Sequence, residues 1–287
     1  MRKHRWMRFK LRTLLIAVLG LCILLSWFAM VQRKARSQRE AVQAIEKAGG
    51  HVVYDYEYDG EGYAKQNASP PASRWLLALL GDDFFSDVVA VLYIKKNQQE
   101  AAIFEQLAKL PELKSLDLAG TNTADHALVG IENLKHLERL LLPETAISDA
   151  LLPKLARLRT LRELNLRHTR VTDDGLEHIQ DSINLFCLDI GDTAITDAGL
   201  EHLHGLTQLR ILELSGTQVA DAGLARLKNF SQLEYLGLTN TKVTDVGATQ
   251  LRELTQLKRL QIFGTSVTDN GADQLRSALP QCKVDFW

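Results

Sequence analysis

Cysteine is scarce, with three in 287 residues, which is too few for a disulfide framework. Cys22 lies in an apolar run, and Cys187 and Cys282 are almost four repeat units apart, beyond disulfide reach when strands stack at about 4.8 Å each. All three read as free thiols. Missing too are a glycine-rich phosphate loop, a Ser-His-Asp order with supporting motifs and a metal-spaced cysteine cluster. The sequence therefore points to no enzyme, no cofactor and no metal. Acidic residues are absent from residues 1 to 39, which hold ten of the 34 Lys and Arg. That leaves 24 basic residues against all 35 acidic ones, a net of -11 for the rest of the chain. A body this acidic excludes a general nucleic-acid partner, since that role needs a basic surface to displace counterions.

What is present begins with twenty consecutive uncharged positions from Thr13 to Gln32, including LLIAVLGLCILLSWFAMV. As a helix they rise about 30 Å, the thickness of a bilayer's hydrocarbon core. A cleaved secretory signal is the competing reading, but no small-x-small site follows the run, where Trp27, Phe28, Met30 and Val31 are bulky. Trp6 and Trp27 flank or end the span as interfacial aromatics do. Six cations precede it (Arg2, Lys3, Arg5, Arg8, Lys10, Arg12) and four follow (Arg33, Lys34, Arg36, Arg39). This bias places the N-terminus in the cytoplasm and the body outside it, the inverted topology being the runner-up. The expected organisation is a basic leader at 1–12, a transmembrane helix at 13–32, a juxtamembrane helix and cap at 33–87, and a repeat array at 88–287.

The array announces itself by period. Thr recurs every twenty-four residues at Thr121, Thr145, Thr169, Thr193, Thr217, Thr241 and Thr265. Asp follows four residues after each, at Asp125, Asp149, Asp173, Asp197, Asp221, Asp245 and Asp269. Such a period marks a solenoid whose units bury their apolar faces only by stacking. In LRILELSGTQVADAGLARL, from Leu209 to Leu227, Leu212 and Leu214 alternate with Ile211, Glu213 and Ser215 as a short strand. A helix starts after Val219, with Leu224 and Leu227 inward and Asp221 expected as its N-cap. Capping accounts for the Asp column better than calcium, whose repeat sites crowd several carboxylates into one turn. Gly175, Gly199, Gly223, Gly247 and Gly271 stand two residues after Asp in five units, where a helix interior disfavours them. Close approach of neighbouring backbones is the expected cause.

These units match L-x-x-L-x-L followed by a turn, as in LRELNLRHT ending at Thr169, and VTDDGL from 171 and ITDAGL from 195 continue the pattern. The chain thus resembles leucine-rich repeat proteins over about residues 88 to 287, and is similar to the cysteine-containing class with Thr in place of Cys or Asn. The membrane segment suggests a membrane-anchored bacterial type. The resemblance implies an α/β leucine-rich-repeat solenoid, with a parallel sheet on the concave face and helices on the convex face, here preceded by one transmembrane helix. With the turn Asn missing, a ladder of Thr hydroxyls is expected to satisfy the turn carbonyls.

At the ends the pattern loosens. VLYIKKN at 91 to 97 keeps strand register while Asn97 and Ala101 replace Thr and Asp, a degenerate first repeat. Residues 37 to 87 read as a helix stopping at Gly49, an aromatic strand, a polar loop and a short apolar helix. A terminal cap is expected there, a ligand module contacting through Tyr54, Tyr56 and Tyr58 being the alternative. The last strand, KVDFW, leaves an edge with Phe286 and Trp287 open to self-association. His178 and His202, each after a Glu, sit one unit apart on the convex side, where a solvated column is expected rather than metal. Asn67 with Ser69 and Asn229 with Ser231 form glycosylation sequons.

Function should then lie on outward strand positions of the concave face: Arg139, Leu141, Glu163, Asn165, Arg167, Asp189, Glu213, Tyr235, Arg259 and Phe263. Mixed charge with Tyr and Phe suits a protein or peptide ligand. The expected role is a membrane-tethered recognition scaffold for a protein, peptide or envelope component. The alternatives are a self-associating structural envelope protein and, since cysteine-containing repeats often serve that role, a ubiquitin-ligase adaptor.

Overall fold

The computed structural model of the chain describes residues 11–60, 65, 68–92 and 100–286. The leader with Trp6, Asn67 of the first sequon, Asn97 of the degenerate repeat and Trp287 lie outside them. Ten strands form one sheet in chain order: β1 (His51–Tyr54), β2 (Val88–Leu92), β3 (Ser115–Asp117), β4 (Arg139–Leu141), β5 (Glu163–Asn165), β6 (Cys187–Asp189), β7 (Ile211–Glu213), β8 (Tyr235–Gly237), β9 (Arg259–Gln261) and β10 (Lys283–Asp285). β1 pairs antiparallel with β2, and every later pair is parallel. The twenty-four-residue period fixes the register, since Leu140, Leu164, Leu188, Leu212, Leu236 and Leu260 pair in sequence along it.

Packing follows from the same period. Within one unit Leu209, Leu212, Leu214, Val219, Leu224, Leu227 and Phe230 are all sealed from solvent, and they join a single apolar core running the length of the array. Burying each such side chain contributes about 1.5 to 3 kcal/mol. After the long α1 (Leu11–Lys47), then α2 (Arg74–Leu80) and α3 (Glu100–Leu107), the helical side is built from short pieces, α4 (Leu152–Leu155), α5 (Asp173–Glu177), α6 (Asp221–Leu224), α7 (Asp245–Gln250) and α8 (Asp269–Ala278), with 3-10 turns elsewhere. A unit of this length leaves room for only a turn or two between strands.

The Asp column does something other than expected. In six of the seven units the Asp is the first helical residue and the N-cap position belongs to the residue before it, as with Thr172, Ala220, Thr244 and Thr268, while Asp197 precedes a turn capped by Ala198. The carboxylate reaches instead into the following unit. Asp149 accepts the backbone N–H of Thr172 at 2.8 Å and its hydroxyl at 2.7 Å. Asp173 does the same to Thr196, Asp221 to Thr244, Asp245 to Thr268, and Asp125 to Ser148. Asp197 accepts only the N–H of Ala220, which has no hydroxyl to give. The expected local cap is corrected to a staple between units, and charge-assisted bonds of this kind are the stronger sort.

The staple explains the glycines. A Cβ on Gly175, Gly199, Gly223, Gly247 or Gly271 would stand 2.0 to 2.4 Å from the carboxylate oxygen of the preceding unit's Asp. The close approach is therefore of a backbone to a carboxylate, and Leu151 fills the position in one unit.

The Thr column satisfies the turn carbonyls as expected, each hydroxyl acting within its own unit. No Thr hydroxyl reaches a neighbouring unit's Thr; each donates to the carbonyl three residues back in its own unit, from Thr121 to Leu118 through Thr265 to Ile262, at 2.5 to 2.9 Å. The carbonyl at the strand's end turns inward, and a short hydroxyl already in place satisfies it. Just before each Thr stands a residue of positive φ: Gly120, Glu144, His168, Asp192, Gly216, Asn240 and Gly264, between 52° and 72°. Four of these seven are not glycine, so the column is invisible as a residue pattern.

At the N-terminal end α1 runs unbroken through the expected span and juxtamembrane segment. Ala41, Val42, Ile45 and Ala48 on its last turns join the solenoid core, covering the face that the first repeat would expose. Gln38 is buried there, its amide donating to the Ser86 carbonyl at 2.8 Å while its oxygen accepts the Val88 N–H at 3.3 Å. Tyr54 donates to Asp83 at 3.1 Å and stacks on Tyr56, and Tyr58 packs against Val53, Ala90 and Leu92. These tyrosines knit the cap together. At the far end Cys282 and Val284 are buried and Phe286 packs partly on the core.

The staple has a measurable signature. Asp173→Ala should cost about 2 to 3 kcal/mol by removing two charge-assisted bonds. Gly199→Ala, although it improves helix propensity, should cost about 1 to 3 kcal/mol because its Cβ collides with that carboxylate. In the double variant the Ala should become neutral or stabilising, a coupling of more than about 1 kcal/mol in denaturant unfolding; additive costs would contradict the staple.

Candidate functional site

The strand register arranges the outward side chains in columns. One runs Ser115, Arg139, Glu163, Cys187, Ile211, Tyr235, Arg259 and Lys283; the next runs Asp117, Leu141, Asn165, Asp189, Glu213, Gly237, Gln261 and Asp285. Arg167 and Phe263 fall two residues past the ends of β5 and β9. Adjacent strands are separated by about 4.8 Å, so the expected contact residues from Arg139 to Phe263 extend over roughly 24 Å and form several small groups.

Arg139 pairs with Glu163 at 2.9 Å. Asn165 donates to Asp189 at 3.1 Å, and each of these two side chains accepts a backbone N–H two residues on, from Arg167 and Gly191. Arg167 turns away to Asp192 at 2.5 Å, beside a hollow of about 420 Å³ along the positive-φ turns that Glu144 and His168 also line. The Tyr235 hydroxyl lies 2.7 Å from Glu213 and 2.8 Å from the amide of Gln261. Glu213 can lean that way because Gly237 has no Cβ, which would stand 2.1 Å from the carboxylate. Arg259 pairs with Asp285 at 2.8 Å, and Phe263 stands half-buried at the end.

Burial and these contacts set the protonation states. Burial raises the Asp189 carboxyl, with the Glu213 charge adding, against the opposing pull of the Gly191 N–H. Burial and then the bond to Glu213 hold the Tyr235 hydroxyl neutral. The Cys187 thiol is pushed up to about 12, first by burial and then by Glu163 and Asp189, and Cys282 to about 11. Asp285 goes the other way, lowered by its bonds to Lys283 and Arg259.

Beside this self-satisfied polar sheet is an apolar spot that the sequence list omitted. Ile211 points outward from the middle of the sheet at 36% exposure. Phe186, just before β6, is similarly exposed. Together with Arg162, Asn184, Gln208, Arg210 and Glu234 they line a hollow of about 390 Å³ at the rim. Arg162, Phe186 and Arg210 each immediately precede a strand core of neighbouring units, so the period stacks them side by side. Their signal was present in the sequence as equivalent positions one residue outside the strand.

On the convex side His178 is exposed, Glu201 pairs with Arg226, and the His204 ring bonds the Glu201 carbonyl at 2.8 Å. Among the described residues no group of three His, Cys, Asp or Glu could hold a metal ion.

A continuous parallel sheet on one face, short helices on the other and a leucine core between stacked units define a leucine-rich-repeat solenoid. A family model described as Leucine Rich repeat matches residues 157–179. Among solved structures the chain is similar to an internalin, InlF, of Listeria monocytogenes, with TM-score 0.55 and 24% identity over 66% of this chain and 50% of that one. It is also similar to internalin C2 of the same species, with TM-score 0.54 and 24% identity over 71% of this chain and 82% of that one. The chain thus spans half the length of the first relative. No curated protein matches it in sequence.

Scarce thiolate predicts inert cysteines. In the folded protein at pH 8, Cys187 and Cys282 should react with iodoacetamide more than about tenfold slower than after denaturation, when they regain ordinary thiol acidity. Equal rates in the two states would contradict the burial described.

Proposed function

We propose that the protein is a membrane-tethered recognition module whose concave face and adjoining rim bind an extended segment of a partner protein carrying apolar and acidic side chains. The observation that carries the reading is the exposed pair Ile211 and Phe186, set between Arg162 and Arg210, whose guanidinium groups make no hydrogen bond or close ion pair among the described residues. Desolvated apolar contacts ringed by polar groups provide binding energy, and flanking guanidinium groups select charge. Tyr235, Arg259 and Phe263, with Arg139, Glu163, Asn165, Arg167, Asp189 and Glu213, extend the surface on either side. Because most of these polar groups already satisfy each other, they supply shape and register more than free charge.

The anchor in this reading is the first half of α1. Its apolar side chains have no protein to cover them, Ile16 being 70% exposed, and an exposed apolar cylinder of this length calls for a lipid solvent. The absence of a small-residue cleavage site after it favours an uncleaved span, and the basic flanks favour a cytoplasmic N-terminus with the solenoid on the other side.

Partner capture by the full chain from its native membranes tests the site. Ile211→Ser with Phe186→Ser, and separately Tyr235→Ala with Arg259→Ala, should each lower recovery of the wild-type partner about tenfold or more. Val246→Ser on the convex side should leave it unchanged. Equal recovery with all three variants would overturn the assignment of the face.

A further inference from the structure

The short helix α2 has no buried residue, although six of its seven residues are apolar. Trp75 is 68% exposed and Leu79 71% exposed. A soluble domain has no reason to hold such a helix rigidly in water, yet this one is fastened at its C-terminal end. The Arg39 guanidinium donates to the Leu80 carbonyl at 2.6 Å and to Asp83 at 3.3 Å. Gly81 makes room for that arm, since a Cβ there would fall against the guanidinium, and its φ of 82° suits glycine.

Where the helix is fastened gives it a meaning. Leu79, Leu80 and Phe84 share a hollow of about 370 Å³ with Ala29, Gln32, Arg33 and Arg36 of α1, and the Phe84 ring lies 5.6 Å from that of Phe28. Phe28 and Ala29 belong to the last turn of the uncharged run, so α2 sits at the level where α1 leaves the hydrocarbon. From Ala29 to Arg36 a helix rises about 10 Å, close to the roughly 5 to 8 Å of one headgroup layer. Arg33 and Arg36 stand exposed at this level and Arg74 at the start of α2, none with a side-chain partner among the described residues.

We propose that α2 is an interfacial helix whose Trp75 and Leu79 side chains insert into the headgroup region of the bilayer that α1 spans, while Arg33, Arg36 and Arg74 meet lipid phosphates. The inference rests on the anchor reading of α1. Its occupant is the lipid surface, argued from continuity with the span: the exposed apolar surfaces of α1 and α2 meet at Phe28 and Phe84. A Trp at this depth, with one apolar body and one polar N–H, is at home in the interface. With α1 penetrating and α2 lying on the surface, the membrane holds the solenoid at two non-collinear points, which fixes its tilt and the direction its concave face looks.

Spin labels in the full chain, reconstituted in vesicles of equal parts phosphatidylcholine and phosphatidylglycerol, test this. With Cys22, Cys187 and Cys282 replaced by Ala, Leu79→Cys, Leu19→Cys and Val246→Cys carry the label in turn. The Leu79 label should favour oxygen over a water-soluble nickel chelate at a depth of about 5 to 10 Å, with Leu19 deeper and Val246 in water. If Leu79 matches Val246 while Leu19 is lipid-buried, the interfacial helix is overturned and the anchor stands. If Leu19 also matches Val246, both are overturned, and shielding of Leu79 from both reagents would mean protein contact and overturn it too. Should the cysteine-free protein misfold, quenching of the native chain by brominated lipid gives the same answer. Trp75→Phe should remove a quenchable component, and no change would contradict the proposal.

Discussion

Everything in the solenoid depends on how one unit grips the next, and the grip is a carboxylate. The Asp of one unit accepts the backbone N–H of the residue just before the next unit's equivalent Asp, and its hydroxyl too wherever that residue is Ser or Thr. Hydrophobic burial brings the units together but is indifferent to small slips, whereas a bond at fixed length and direction is not. The strand ladder on the concave side and the carboxylate staple on the other side of the unit hold each interface at two places. In five units a glycine gives the carboxylate oxygen room, its missing Cβ lying within 2.4 Å of it, while Leu151 holds the position in the unit that Asp125 bonds.

The sequence displayed the period, the strands and the core with little ambiguity, since leucines at fixed spacing can only be buried by stacking. It displayed the Thr and Asp columns equally well and misled about the partner of the Asp. A side chain that bonds a residue twenty-three positions away leaves the same mark in one sequence as a side chain that caps its own helix, so Asp149 read as local. Thr169 was legible as a carbonyl-satisfying hydroxyl, and it closes on Leu166 of its own unit. The positive-φ column escaped because Glu144, His168, Asp192 and Asn240 tolerate a conformation for which glycine is the usual flag.

The candidate face was legible as geometry and much less as chemistry. Alternation along Leu212 and Leu214 shows that Glu213 points outward, but not that it lies over Gly237 toward Tyr235. Ranking positions by polarity favoured residues that satisfy one another and passed over Ile211, which satisfies nothing, and Phe186, which lies one residue outside the strand. A binding surface is marked by what remains unsatisfied after folding. That property belongs to the arrangement and not to any residue type. The same holds at the other end of the chain, where Trp75 is an ordinary apolar residue until its exposure beside Phe28 and Phe84 is seen.

The central claim is that inter-unit carboxylate bonds persist in the native state as part of the cooperative array. Native-state hydrogen exchange at the amides of Thr172, Thr196, Ala220 and Thr244 tests it most directly. If the account is right, these amides exchange as slowly as strand amides such as those of Leu188 and Leu212, opening only when the array itself opens. Exchange at the rate of exposed loop amides, while the sheet stays protected, would show that the staples are not holding the repeats together.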